Sequence, residues 1–190
     1  MSLNDEYYVL GGVSGGEYAS LTITKGSEQE DADGYIDDAE PMEYIVSKHS
    51  TGKMGDYHPT TDSVVSAKVA EALDVEGVQL IPATITDKKK KAHEGYFYVN
   101  VYNIIPALDM DASVHNYDDF LEVISMFQKI VFKEEVLAAV PPEKRLAFRF
   151  PEASGYLFFH QSVADKVLAL NPEGLSLHRV SEWGKGKYWE

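Results

Sequence analysis

One pattern occurs twice in the sequence and limits the folds open to it. Ser66-Ala67-Lys68-Val69-Ala70-Glu71-Ala72-Leu73 is followed by Glu76-Gly77-Val78-Gln79-Leu80. His160-Gln161-Ser162-Val163-Ala164-Asp165-Lys166-Val167 is followed, after three more residues than in the first copy, by Glu173-Gly174-Leu175-Ser176-Leu177. In each copy a β-prone pair leads into an amphipathic helix, a glycine able to take positive φ ends it, and an alternating strand follows. Two strand-helix-strand units are expected whether or not the copies share an origin. Gly77 and Gly174 are the structural residues of that reading, each reversing the chain in the left-handed region.

Around these units the chain reads as mixed. Tyr7–Leu10 and Tyr18–Ile23, joined by glycine-rich residues 11–16, suggest an amino-terminal hairpin, and a short strand is expected at Tyr44–Val46. Residues 50–61, with Gly52, Gly55 and Pro59, read as a loop, and Tyr96–Tyr102 as the strongest strand. Asp118 can cap a helix carrying Phe120, Ile124, Phe127 and Val131 at helical spacing, although 130–132 could equally be a strand. Pro141-Pro142 breaks the chain, and Leu146–Phe150 and Tyr156–Phe159 look like two further strands. Without regular βα alternation the class is α+β, a mixed or antiparallel sheet with two or three helices. At 190 residues one domain is expected, with the hairpin and an acidic loop in residues 1–60 and a core in residues 62–182.

Charge narrows the partners. The formal net charge is −14, and residues 1–60 hold 12 acids against three bases, Lys25, Lys48 and Lys53. Glu28, Glu30, Asp31, Asp33, Asp37, Asp38, Glu40 and Glu43 fall in one stretch with no lysine or arginine. Such a balance disfavours nucleic acid and anionic membrane surfaces and favours a cationic partner. No apolar stretch reaches the ~18 residues that span a bilayer, and the amino terminus lacks the basic start and apolar core of a secretory signal, so a cytoplasmic location is expected.

Candidate chemistry is sparse. The absence of cysteine removes disulfides, thiol nucleophiles and cysteine-based metal sites. Gly12-Val13-Ser14-Gly15-Gly16 fits a hydrolase nucleophile pattern, but no helix follows Ser14, and a glycine-rich turn produces the same string. It also lacks the Gly-Lys-Ser/Thr of a phosphate loop. Asp109-Met110-Asp111-Ala112-Ser113 begins like a calcium loop, yet Val114 and Phe120 stand where glycine and glutamate are required. His49, His58, His93, His115, His160 and His178 show no ligand spacing, so neither metal nor cofactor is expected. The clustered carboxylates read as a charged face, because a general acid needs partial burial.

The order of short motifs resembles bacterial immunity proteins of polymorphic toxin systems, specifically immunity family eleven, long catalogued as a domain of unknown function. The resemblance runs from about Val64 to Val180. It rests on Val64-Val65-Ser66 before a helix, the aromatic strand Tyr96 to Asn100, Leu108-Asp109, Ala147-Phe148-Arg149-Phe150, and Gly174-Leu175-x-Leu177. Phe159-His160 departs from the expected apolar-serine pair. The resemblance implies a non-enzymatic cytoplasmic protein that neutralises a cognate toxin encoded beside it. The negative charge adds the expectation of a cationic toxin such as a nuclease, with the eight acids from Glu28 to Glu43 as its electrostatic surface. A small-molecule or glycan-binding module using exposed tyrosines, and a hydrolase built on Ser14, are the competing readings.

Overall fold

In the computed structural model, residues 2–13, 16–30, 32–59, 63–120 and 123–184 are described. The strands are β1 (Tyr7–Gly12), β2 (Leu21–Lys25), β3 (Met42–Val46), β4 (Tyr57–Pro59), β5 (Ser63–Ser66), β6 (Val78–Thr86) and β7 (Ala92–Val101) in the first half of the chain. β8 (Val114–Asp118), β9 (Val123–Lys129), β10 (Ala147–Phe150), β11 (Ala153–His160) and β12 (Leu175–Arg179) follow. Three helices, α1 (Ala67–Leu73), α2 (Glu134–Ala139) and α3 (Gln161–Ala169), complete the α+β fold.

The duplicated pattern has a shared topology. β5, α1 and β6 form one unit whose two strands flank β7, each antiparallel to it. β11, α3 and β12 form the second, whose strands flank β1 in the same sense. Each helix buries the same face: Val69, Ala70 and Leu73 in α1, Val163, Ala164 and Val167 in α3. Val69, Ala70, Leu73, Val163 and Val167 meet in one core with Val65, Val78, Phe159 and Leu175, so the two units pack helix to helix. The His160 departure also has a physical account, since its Nδ1 accepts the Ser162 N–H at 3.2 Å and thereby caps α3.

Two sheets grow from these units. One has the order β10-β11-β1-β12 and the other β2-β3-β6-β7-β5-β4, with β8 and β9 forming a separate pair. Tyr7, Phe132, Phe148, Phe150 and Phe158 fill a second core, with Phe150 and Phe158 centroids 4.6 Å apart and Phe148 stacked on Phe158 at 5.2 Å.

The amino-terminal hairpin does not form. β1 lies between β11 and β12, whereas β2 pairs with β3 in the other sheet. Tyr7, Tyr8, Val9 and Leu10 are all buried, and an isolated two-stranded hairpin cannot cover both faces of such a strand. Nor does a helix carry Phe120, Ile124, Phe127 and Val131. Residues 123–129 are β9, paired antiparallel with β8. Twice the register advances two residues on β9 for one on β8, leaving Ser125 and Gln128 as extra residues. Each such bulge lengthens the two-residue period, so Ile124 and Phe127, three apart, are both buried. Asp118 serves a turn, its Oδ1 accepting the Phe120 N–H at 2.9 Å. The expected loop at residues 50–61 contains β4, and α2 occupies a stretch where no helix was expected.

Candidate functional site

The acidic segment is pinned to the sheet by amide side chains. Gln29 is buried; its Nε2 donates to the Glu40 carbonyl at 3.0 Å, and its Oε1 accepts the Glu40 N–H at 2.9 Å. From β6, the Gln79 Nε2 donates to the Ile36 carbonyl at 2.8 Å while its Oε1 accepts the Ile36 N–H at 3.0 Å. Each glutamine thus imitates a strand partner for one loop residue. Asn100 on β7 donates to the Gly34 carbonyl at 2.9 Å and to Gln79 Oε1 at 3.1 Å. Arg149 on β10, only 7% exposed, donates to the Ala32 carbonyl at 2.6 Å and lies 3.8 Å from Asp33 Oδ1. Ile36 and Ala39 pack against the core formed by Met42, Tyr44 and Ile81.

With the backbone held, the carboxylates face outward. Glu28, Asp33, Asp37, Asp38, Glu40 and Glu43 are exposed and Glu30 is half-buried. Asp31 lies outside the described residues. Lys25 approaches Glu40 at 3.6 Å, a pair exposed on both sides and therefore of small energetic weight. The segment between β2 and β3 contains a 3₁₀ turn at Ser27–Gln29. Gln29, Gln79, Asn100 and Arg149 escaped the sequence reading as site residues. Asn100 and Arg149 nonetheless lie inside the quoted motifs, as polar residues interrupting apolar strands, and that interruption is the available signal.

A separate junction ties the two units together. The Asp56 carboxylate accepts from Ser66 Oγ at 2.7 Å, Lys68 Nζ at 2.8 Å and the Glu173 N–H at 2.9 Å. Burial alone would raise this carboxyl, but Lys68 and these hydrogen bonds outweigh it and hold it below its usual range. His58, fully buried, donates through Nδ1 to the Ala19 carbonyl at 2.7 Å and accepts the Gly55 N–H on Nε2 at 3.2 Å. Burial holds this imidazole below its ordinary value, against the upward pull of the Ala19 carbonyl. Gly77 and Gly174 have φ of +94° and +86°. A Cβ on Gly77 would meet the Ala147 carbonyl oxygen at 2.7 Å; on Gly174 it would meet Tyr18 Cγ at 2.9 Å and the Tyr57 carbonyl oxygen at 3.0 Å.

Ser14 lies outside the described residues. Among the described residues no three histidines or carboxylates gather as a metal-holding group, and no helix is long and apolar enough to cross a membrane. The exposed Tyr35 sits edge-on to Tyr102 at 5.3 Å, a contact made within the protein.

The molecule is an α+β core built on paired helical units, with an acidic segment whose described carboxylates are mostly exposed. The sequence matches the immunity protein family (Imm11) over residues 32–182, and the chain belongs to that family. The match begins well before Val64 and takes in Asp33, Asp37, Asp38, Glu40 and Glu43, which lie upstream of the motifs that carry the resemblance. No curated protein matches the chain.

Proposed function

We propose that the chain is a cytoplasmic immunity protein that binds and neutralises a cognate bacterial toxin domain by direct protein–protein contact, without catalysis of its own. The observation that carries this reading is family membership across residues 32–182. The formal net charge of −14 supports a cationic toxin, and a nuclease is the enzyme class whose phosphate-backbone substrate calls for that charge. Glu28, Glu30, Asp31, Asp33, Asp37, Asp38, Glu40 and Glu43 form the surface that attracts it. A pinned backbone favours this role, because a loop already ordered loses less conformational freedom on association.

The direct test is co-expression with the carboxy-terminal toxin domain encoded by the neighbouring reading frame. Growth arrested by the toxin alone should be restored by this chain, and purified proteins should form a complex. Continued arrest with no complex would overturn the reading. A second check concerns Ser14: ester and peptide substrate panels should show no turnover above background. Hydrolysis that vanishes in Ser14→Ala would make the chain an enzyme.

A further inference from the structure

Four of the eight large apolar side chains exposed among the described residues fall on one short stretch. They are Met110, Val114, Tyr117 and Phe120, with Phe120 92% exposed. Exposed apolar residues scattered singly are ordinary, whereas several on one short segment mark a contact surface. Here they occupy β8 and its two flanking turns, with Val114 opposite Lys129 on one face of the pair, Tyr117 opposite the buried Ile124 on the other, and Phe120 just past the end of β8. Among the described residues β8 pairs with β9 alone, and its other edge has no strand partner.

The underside of the hairpin is anchored. Ile124 and Phe127 are buried, Phe127 meets Tyr156 edge-on at 4.9 Å, and the Ile124 N–H donates to the Glu152 carbonyl at 2.8 Å. Trp183 Nε1 donates to the Phe127 carbonyl at 2.9 Å. At the tip, the Phe120 N–H bond to Asp118 fixes the backbone that carries the exposed ring. An aromatic presented on a supported turn sacrifices little freedom when it enters a pocket. The two bulges in the ladder disfavour strand addition along the other edge of β8, which leaves side-chain docking as the mode of contact.

Charge selects the occupant. From Asp109 to Gln128 the sequence holds Asp109, Asp111, Asp118, Asp119 and Glu122 and no lysine or arginine, and Lys129, paired with Val114, closes the hairpin at its far end from Phe120. A second copy of this chain would bring like charge against these acids. Exposed apolar side chains interspersed with Asp111, Asp118 and Asp119 fit a basic protein surface containing an apolar pocket.

We infer that the β8–β9 hairpin is the anchoring part of the toxin interface, with Phe120 and Tyr117 inserted into the toxin and the neighbouring aspartates against its basic rim. This rests on the immunity reading and adds the location of the contact. It gives the two acidic regions different tasks: Glu28 to Glu43 attract the toxin, and the hairpin retains it.

The test uses the full chain and a catalytically inactivated form of the toxin domain from the neighbouring reading frame. Dissociation rates are measured for wild type, Phe120→Ser, Tyr117→Ser, and Leu168→Ser, the last an exposed aliphatic on α3. Losing a buried aromatic anchor should raise the dissociation constant roughly 30-fold or more, mainly through faster dissociation. Leu168→Ser should stay within about twofold. Phe120 is so exposed that its replacement should leave the melting temperature unchanged; any unfolding of Tyr117→Ser leaves Phe120→Ser as the deciding variant. If wild type binds and Phe120→Ser binds equally well, the hairpin is not the anchor, although the immunity reading stands. A wild-type chain that neither binds nor protects removes both. Sedimentation decides the remaining case: a wild-type dimer that Phe120→Ser converts to monomer would make the hairpin a self-association surface and overturn the inference.

Discussion

At the scale of single residues, the turns and the junction make the sharpest predictions. Gly77→Ala places a side chain at positive φ, which costs about 1–2 kcal/mol, and adds a contact of 2.7 Å with the Ala147 carbonyl oxygen. Gly174→Val carries the same backbone penalty and strikes Tyr18 and the Tyr57 carbonyl. Both should lower the urea midpoint; an unchanged midpoint for Gly174→Val would contradict the left-handed turn before β12. His58 gives a pH dependence of definite sign. Its imidazole in the unfolded chain takes a proton near pH ~6.5, while burial makes the folded one wait for a lower pH. Between those values the unfolded chain binds the extra proton. The contribution is therefore fully present above about pH 6.5 and shrinks as pH falls through the folded value. His178, also held down by burial, acts in the same direction. Urea unfolding at a series of pH values should show stability falling below about pH 6.5, with a shallower slope in His58→Gln. The slope is the readout, since the replacement can change the overall level as well.

Among elements, what could be read from the sequence depended on whether an element's pattern was local. Both strand-helix-strand units were legible because Val69-Ala70-x-x-Leu73 and Val163-Ala164-x-x-Val167 repeat the same buried face before a turn glycine. β9 was illegible as a strand because its extra residues give Ile124 and Phe127 the spacing of a helix, and register is a property of two strands. The partners of β1 lie more than a hundred residues away, so its sheet could not be read from its neighbours. For the candidate site, the acids themselves were plain in the sequence, while the clamp that orders them required knowing that β6, β7 and β10 face the segment. That clamp is testable. Gln79→Leu removes both bonds to Ile36, each contributing about 0.5–1.5 kcal/mol, while the remaining ties through Gln29 and Asn100 persist. Amide exchange at Ile36 should accelerate about 10-fold or more, with far smaller changes in β7 beyond the site. Unchanged exchange at Ile36 would mean that packing of Ile36 and Ala39, rather than the glutamine, orders the segment.

For the whole molecule, charge and apolar contact make separable demands on binding kinetics. A field from clustered carboxylates acts at a distance, before any side chain touches, so its effect belongs to the encounter rate. The exposed Glu28, Asp33, Asp37, Asp38, Glu40 and Glu43 have the freedom from close packing that such a field requires. Replacing the eight acids from Glu28 to Glu43 by their amides keeps approximate size and removes the charge. Association with a cationic toxin domain should then slow by ~10-fold or more at low ionic strength. Near physiological salt the Debye length shrinks to ~8 Å and the two proteins should converge. Dissociation should change less, because the contacts that hold the complex are a different set from those that attract it. Phe120→Ser should show the opposite profile, with association nearly unaltered, dissociation faster, and little dependence on salt. Stopped-flow association at two salt concentrations, followed by competitive dissociation, separates the profiles. Equal association rates and equal salt slopes for wild type and the amide variant would reduce Glu28 to Glu43 to a solvated face and move the attracting charge elsewhere, the aspartates around β8 being the next candidates.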